Sequence, residues 1–396
     1  MKAGWQTKTL GDACQIARGG SPRPIQDFMT DNLDGVNWIK ISDATASGKF
    51  IYMTKEKIKP SGVARSRLVK PGDFLLSNSM SFGRPYIMQT TGCIHDGWLV
   101  LSDYEKCFDQ GFLYHLLGSP VVFEQFDRLA AGSTVRNLNI ELASRVVLPV
   151  PPLPEQQRIV TLLDAAFDGV ATAKAHAEKN LQNARAIFES HLQSVFTQRG
   201  PGWMEKKLEE IGKTQTGSTP KTNDRANYGD FISFVKPGDF NIDGTLDYDK
   251  DGLSESGAAG ARKVPAGSVL MVCIGATIGK CGYCDQDVTT NQQVNALTPS
   301  DGSSHRFIYY QMLTETFQRK VIHASGQATL PIINKSKWSA LTVWLPQKVH
   351  EQTTIAAKFD ALLGETQRLE SNYQQKLTAL DELKKSLLHR AFSGAL

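Results

Sequence analysis

The sequence predicts an α+β chain of two tandem globular domains separated by two long helices that form an antiparallel coiled coil. Each domain is expected to be a twisted, mostly antiparallel sheet with helices. Three observations predict this. The chain repeats itself at a nearly fixed offset, two long stretches carry an apolar seam at coiled-coil spacing, and short apolar runs with glycine-bounded loops precede each stretch.

The repeat comes first, because an overlooked repeat misassigns a whole fold. Gly4-Trp5, Lys8, Leu10, Gly19 and Pro22 return as Gly202-Trp203, Lys206, Leu208, Gly217 and Pro220, offset by 198. Lys40 and Asp43 of the segment WIKISD fall on Lys236 and Asp239 of FVKPGD, offset by 196. Gly72, Leu75, Gly83, Phe112, Tyr114 and Gly132 match Gly267, Leu270, Gly279, Phe307, Tyr309 and Gly326. Leu148-Pro149 aligns with Leu345-Pro346. Glu155-Gln156, Ile159, Asp164-Ala165, Ser190, Leu192 and Phe196 align with Glu351-Gln352, Ile355, Asp360-Ala361, Ser386, Leu388 and Phe392, offset by 196. Such small drift over the whole chain is duplication. Between these anchors the globules agree in almost nothing, which suggests two binding sites of one kind with different targets.

The helices follow from spacing. Ile159, Leu163, Ala166, Val170, Ala173, Ala177, Leu181, Ala184, Phe188, Leu192 and Val195 recur at steps of three and four, with Leu181 one past the step. Ile355, Phe359, Leu362, Thr366, Leu369, Tyr373, Leu377, Leu380, Leu383 and Leu387 do the same. A mean spacing of ~3.5 over several heptads is a coiled-coil seam. Pro154 suits a first helical turn and Glu155 the helix dipole, while Arg199-Gly200-Pro201 reads as a stop. The first seam is rich in alanine and the second in leucine and aromatics, so small residues can meet large ones if the helices pair with each other. An antiparallel pair would place the globules at opposite ends of a spacer roughly 60 Å long, at ~1.5 Å per residue. The expected partition is a globule over 1–153, a helix over 154–199, a second globule over 200–349 and a second helix over 350–396.

Within the globules, strands are predicted at Trp38–Ile41, Phe74–Leu76, Trp98–Leu101 and Val146–Val150, and at Ile232–Val235, Val269–Ile274 and Leu341–Leu345. One helix is predicted in each, Gln110–Leu129 and His305–Ile322. Loops such as Arg18–Arg23 and Thr216–Lys221 connect them. They carry small polar and basic residues of the kind that contact DNA. In the first copy these are Arg18, Ser21, Arg23, Lys40, Arg65, Arg67, Ser77, Asn78, Arg84, Ser133, Thr134, Arg136 and Asn137. The second copy offers Thr219, Lys221, Lys236, Arg262, Lys263, Lys280, Asn291, Gln292, Gln293 and Gln327. Arginine pairs well with guanine, and asparagine or glutamine with adenine, each good bidentate contact giving about 1–3 kcal/mol of discrimination. The alternative reading of most of these side chains is solvated surface.

Composition permits this reading without requiring it, since 44 basic residues stand against 40 acidic ones and local patches matter more than the total. The N-terminus holds no apolar stretch of signal-peptide length, and Val264–Gly279 is too short and too interrupted to span a bilayer. Six scattered cysteines fit a reducing compartment, so a cytoplasmic protein without a membrane partner is expected. No catalytic set is found. Gly275–Lys280 (GATIGK) is one residue short of a phosphate loop and has Cys281 where serine or threonine should hold the metal. Cys281 and Cys284 form a lone CxxC with no second pair at zinc-finger spacing. No HExxH or GxSxG context is present, nor an Asn/Asp-Pro-Pro-aromatic run. No catalytic residue, metal or cofactor is therefore expected on this chain.

The arrangement resembles the specificity subunit of type I restriction–modification systems over essentially its whole length. The most telling segment is LPVPPLPEQQRIVTLLD (Leu148–Asp164), echoed by WLPQKVHEQTTIAAKFD (Trp344–Asp360), where Gln347, Lys348 and Val349 replace the prolines. The resemblance implies that each globule is a target-recognition domain reading one half of a bipartite, asymmetric site on double-stranded DNA. It implies helices that set the gap between the halves and dock two methyltransferase subunits. Those subunits would bind S-adenosylmethionine and methylate adenine N6, and restriction–translocation subunits would add cleavage. Two other readings remain open: a protein-binding coiled-coil adaptor, and the recognition part of a single-chain restriction–methylation enzyme.

Overall fold

Each globule begins with a strand that pairs with the globule's last strand, so its two ends are tied together beside the long helix that follows. The computed structural model describes residues 4–78, 83–130, 138–326 and 330–396. In it Gln6–Thr9 runs antiparallel to Val147–Val150, and Trp203–Lys207 to Thr342–Pro346. The Leu-Pro pairs that mark the repeat, Leu148-Pro149 and Leu345-Pro346, are therefore globule-closing strands. The chain divides into two units, Met1–Ala177 with Gln375–Leu396, and Glu178–Gln374.

The β-structure of each globule is distributed over two further sheets. In the first unit one sheet orders Met29–Thr30, Glu56–Ile58, Val36–Ile39, Gly92–Ile94 and Arg67–Val69. The other orders Gln15–Arg18, Trp98–Ser102, Phe74–Ser77, Pro85–Met88 and Phe50–Ile51. The second unit has Gly212–Thr216, Val294–Pro299, Ser268–Val272 and Cys281–Cys284 in one sheet, and Gly252–Leu253, Tyr228–Val235, Val288–Thr290 and Lys263–Val264 in the other. Pairing is mostly antiparallel. Among the described residues the parallel exceptions are Val36–Ile39 with Gly92–Ile94, Phe50–Ile51 with Pro85–Met88, and Tyr228–Val235 with Val288–Thr290.

Three sequence expectations need correction. The helix expected over Gln110–Leu129 is two helices, Gln110–Leu117 and Pro120–Ala130, because Pro120 lacks a donor and the Ser119 hydroxyl caps Val122. His305–Met312 and Glu315–Ser325 are likewise separated, at Thr314, whose hydroxyl accepts from the Phe317 amide. Ile41, expected to end a strand, instead opens the short helix Ile41–Ser47, with the Asp43 carboxylate accepting from the Lys40 amide.

The long helices run over Leu153–Gln198 and Val349–Ser393. Ile159, Leu163, Val170, Ala177, Ala184 and Leu192 of the first seam are buried, as are Phe359 and Thr366 of the second. Within the first unit Lys174 pairs with Asp381 at 2.7 Å, and within the second Arg185 pairs with Glu370 at 2.8 Å. An advance of 11 residues along one helix meets a retreat of 11 along the other, as antiparallel packing requires. Leu383 leaves the seam and is 46% exposed; Leu388, Ala391 and Phe392 are buried instead. At its end the helix turns its apolar side from the partner helix onto the globule, which shifts the buried set by one position.

Three matched contacts fasten globule to helix. The Gln156 side chain accepts from the Asp109 amide at 2.8 Å and donates to the carbonyls of Cys107 and Pro151. Gln352 accepts from the Ser304 amide at 2.9 Å and donates to Pro346. The glutamine of the repeated Glu-Gln pair is thus a buried clamp on the start of a globule helix. Asp164 meets His115 at 2.7 Å, whereas Asp360 takes Arg306 at 2.5 Å and the Tyr310 hydroxyl. Leu388, Ala391 and Phe392 complete the core of the first unit, with Phe392 edge-on to Phe112 at 5.3 Å. Leu192 and Phe196 do the same in the second unit, Phe196 lying 5.2 Å from Phe307. No helix among the described residues is long and apolar enough to cross a membrane.

Truncating a buried phenylalanine to alanine destabilises by about 3–5 kcal/mol. Phe392→Ala is expected to lower hydrogen-exchange protection in the first unit and Phe196→Ala in the second, read by mass spectrometry of peptides from each. Equal loss in both units from either substitution would contradict this assignment of the two helix ends.

Candidate nucleic-acid interface

After the strand Gln15–Arg18, the chain crosses the turn that precedes its antiparallel partner Trp98–Ser102, so closely that only glycine fits. Gly19 donates its amide to Trp98 O at 2.9 Å and Gly20 to Ile94 O at 3.1 Å. A Cβ on Gly19 would lie 2.0 Å from His95 O. The second unit repeats this, with Gly217 donating to Val294 O at 3.0 Å and Ser218 to Thr290 O at 2.8 Å. A Cβ on Gly217 would lie 2.2 Å from Asn291 O. A third segment joins each frame. Asn78 donates to Gly97 O and accepts from the Leu138 amide, while Cys273 donates to Gln293 O and accepts from the Ile333 amide.

A side-chain latch then crosses from loop to turn. In the first unit the Ser21 hydroxyl donates to Asp96 Oδ1 at 2.8 Å. In the second the Thr219 hydroxyl donates to Gln292 Oε1. Asp96 and Gln292 lie 196 residues apart and Ser21 and Thr219 lie 198 apart, so the latch is duplicated while its acceptor changes from carboxylate to amide. The Ser21 hydrogen bond, with Arg23 nearby, holds the Asp96 carboxyl below its ordinary range. Burial pushes the neighbouring His95 down, and its Nδ1 accepts from the Gly97 amide at 2.9 Å, as a neutral ring does.

Most of the residues expected at DNA gather on these frames. Arg23 reaches Asp96 Oδ2 at 3.5 Å, Arg18 Nε donates to Asp96 O at 3.0 Å, and Arg67 Nε donates to Arg18 O at 3.5 Å. Arg65 lies over the Phe28 ring at 5.6 Å. Lys40, paired with Glu56 at 2.5 Å, lines with Arg23, Trp38 and Asp96 a groove of about 970 Å³. In the second unit Arg262 accompanies the loop, its amide donating to Ser218 Oγ and its guanidinium to Thr216 O at 2.9 Å. Asn291 Nδ2 donates to Gln293 Oε1 at 2.9 Å, and Lys221 is exposed. Lys236 and Lys263 are tied to Asp251 and Asp287 at 2.7 and 2.6 Å.

Other expected residues are buried beneath the frame or lie away from it. Ser77 and Asn78 are buried, each 1% exposed, and Asn78 Nδ2 donates to Asp96 O. Arg84 lines a separate cavity with Lys49 and Lys384. Lys280, its counterpart, follows the turn that ends at Gly279. Ser133, Thr134, Arg136, Asn137 and Gln327 lie outside the described residues. The sequence reading missed Asp96, His95 and Glu56, because it searched for donors to phosphate and base rather than for the acceptors that hold such donors in place. Cys281 and Cys284 sit on opposite faces of one strand, in different cores, and burial raises both thiols, Cys284 to about 11. The GATIGK segment joins two strands rather than a strand to a helix.

Comparison with known proteins gives one family. The model described as "Type I restriction modification DNA specificity domain" matches residues 2–182 and 201–379. The HindI specificity subunit of Haemophilus influenzae is 30% identical over 199 residues, 49% of this chain but 42% of that relative. The EcoBI specificity subunit of Escherichia coli is 21% identical over 99% of this chain and 86% of its own. Among solved structures, the HsdS subunit of Thermoanaerobacter tengcongensis has a TM-score of 0.66 at 18% identity, covering 100% of this chain and 98% of that one. A chain from work on complex assembly and conformational transition of the type I R-M system reaches 0.79 at 19% identity, covering 100% and 99%. These two share the fold.

Because the Asp96 carboxyl titrates below its ordinary range, its contribution to loop stability is complete above the unfolded-state value and is lost as pH falls through the lowered folded value. Ser21→Ala removes the hydrogen bond and is expected to move the Asp96 titration upward, measured by carbon-13 NMR. An unmoved titration would mean that the latch does not hold the carboxylate.

Proposed function

The chain belongs to the family of type I restriction–modification DNA specificity domains, and from that premise we propose that it is the non-catalytic sequence-reading subunit of such a system. Each globular unit reads one half of a bipartite, asymmetric site on double-stranded DNA. The long helices set the gap between the halves and dock two methyltransferase subunits. Those subunits bind S-adenosylmethionine and methylate adenine N6, and two restriction–translocation subunits join them. The observation that carries this reading is the frame built twice: the same backbone hydrogen bonds and glycine contacts hold a loop over a turn in both units, around different side chains.

The physics fits a division of labour. A methyltransferase must take its adenine out of the stack, and reading on either side selects which adenine that is. Two readers on one chain act with an effective local concentration, so neither needs high affinity alone. The arginines around the first frame suit guanine and phosphate, whereas Asn291, Gln292 and Gln293 of the second suit adenine. Binding through several phosphates should fall steeply with salt.

The test is a methylome. The chain, expressed with a cognate methyltransferase subunit in an unmethylated host, is expected to give adenine methylation at two unrelated half-sites with a fixed gap, mapped by single-molecule sequencing. A single contiguous motif would contradict the two-reader reading. Absence of methylation from a stable complex that binds S-adenosylmethionine would favour the adaptor. Gln292→Ala is expected to relax one half-site by about 1–3 kcal/mol at one position and leave the other half unchanged.

A further inference from the structure

The duplication provides an internal control for a cavity in the first unit. About 880 Å³ of space opens above Tyr114, His115 and Phe167, with Lys49, Arg84 and Lys384 around it. Lys49 Nζ lies 4.7 Å from the Tyr114 ring and Lys384 Nζ 5.0 Å from the Phe167 ring. Neither lysine makes an ion pair among the described residues, and neither does Arg84. Two carboxylates line the space. Asp164 takes a hydrogen bond from His115 at 2.7 Å, a ring that burial pushes toward its neutral form, so Asp164 keeps its charge and with Asp168 sets two carboxylates against three cations.

At the matching place in the second unit the chain fills itself in. Phe188 stands where Lys384 stands, 196 residues earlier, and packs on Tyr310 and Phe359 at 6.0 and 6.2 Å. Arg306 closes on Asp360, the counterpart of Asp164. Gly282, the counterpart of Tyr86, lies under the segment Phe240–Leu246, where a Cβ would fall 2.9 Å from Phe240 and 3.0 Å from Leu246. The scaffold is therefore able to close this space with its own side chains, and in the first unit it leaves the space open and cationic.

We propose that this cavity receives an acidic segment of the methyltransferase subunit, the partner assigned to the long helices; the inference rests on that assignment. Charge complementarity selects the chemistry, because three cations that make no ion pair among the described residues outnumber the two carboxylates beside them and favour a further carboxylate that arrives from outside. Shape selects a polypeptide over duplex DNA. The space is a concave recess over aromatic rings, suited to projecting Asp or Glu side chains, whereas a duplex backbone is a convex ridge. None of the residues around it belongs to the loop-and-turn frame of the candidate interface, and Arg84, expected from the sequence at DNA, lies here instead.

The test measures affinity of the full chain for its methyltransferase subunit by titration calorimetry at two salt concentrations. The double substitution Lys49→Glu/Lys384→Glu is expected to weaken assembly about tenfold or more and to flatten its salt dependence. Arg84→Glu, at an exposed position, should weaken assembly in the same direction and covers the case in which the double variant fails to fold. Wild-type affinity in folded double and single variants would overturn this inference while leaving the proposed function standing. Intact assembly with weakened binding of specific DNA would also overturn it, assigning the cavity to phosphate. A wild-type chain that does not assemble would overturn the proposed function and this inference together.

Discussion

Four side chains at two helix ends determine how this chain can be assembled. Leu192 and Phe196 end one long helix and belong to the core of the second unit; Leu388 and Phe392 end the other and belong to the core of the first. Neither core is complete from its own globule and the start of its own helix. The first core takes in Leu388, Ala391 and Phe392, a long-range closure whose entropy is offset in large part by the apolar area then buried. Antiparallel packing of the helices follows from this requirement, since each helix begins in one unit and ends in the other.

Upstream of those cores, matched polar contacts transmit the constraint to the surface. Gln156 and Gln352 clamp the starts of the helices Gln110–Leu117 and His305–Met312, and Asp164 and Asp360 grip the same helices at His115 and at Arg306 and Tyr310. The loop-and-turn frames are then held by backbone hydrogen bonds and by glycines that admit no Cβ. A frame held by backbone leaves its side chains free to differ. The Ser21–Asp96 latch gathers arginines, whereas Thr219–Gln292, with an uncharged acceptor, leaves Lys221 exposed and without an ion pair among the described residues.

The sequence made the repeat, the two long helices and most of their seam legible, because periodicity near 3.5 is a property of order along the chain. It did not reveal Leu383 as exposed, since that depends on where the helix passes from its partner onto a globule. The split at Ser119-Pro120 was readable from proline chemistry, and the one at Thr314 from its capping hydroxyl, but the apolar spacing continues across both. Of the candidate site, the arginines were legible by type and Asp96 was not. The repeat held the needed signal, since Asp96 aligns with Gln292 as Ser21 aligns with Thr219. Burial of Ser77 and Asn78 depends on a neighbouring strand and turn that no local pattern displays.

The proposed function requires that each unit read its half of the site whatever the length of the helices between them. The most direct measurement inserts one heptad into both long helices, at positions that face each other, and maps adenine methylation with the methyltransferase subunit present. The expected result is both half-sites unchanged and a longer gap between them. Altered half-sites, from a variant whose two cores retain wild-type hydrogen-exchange protection, would contradict it.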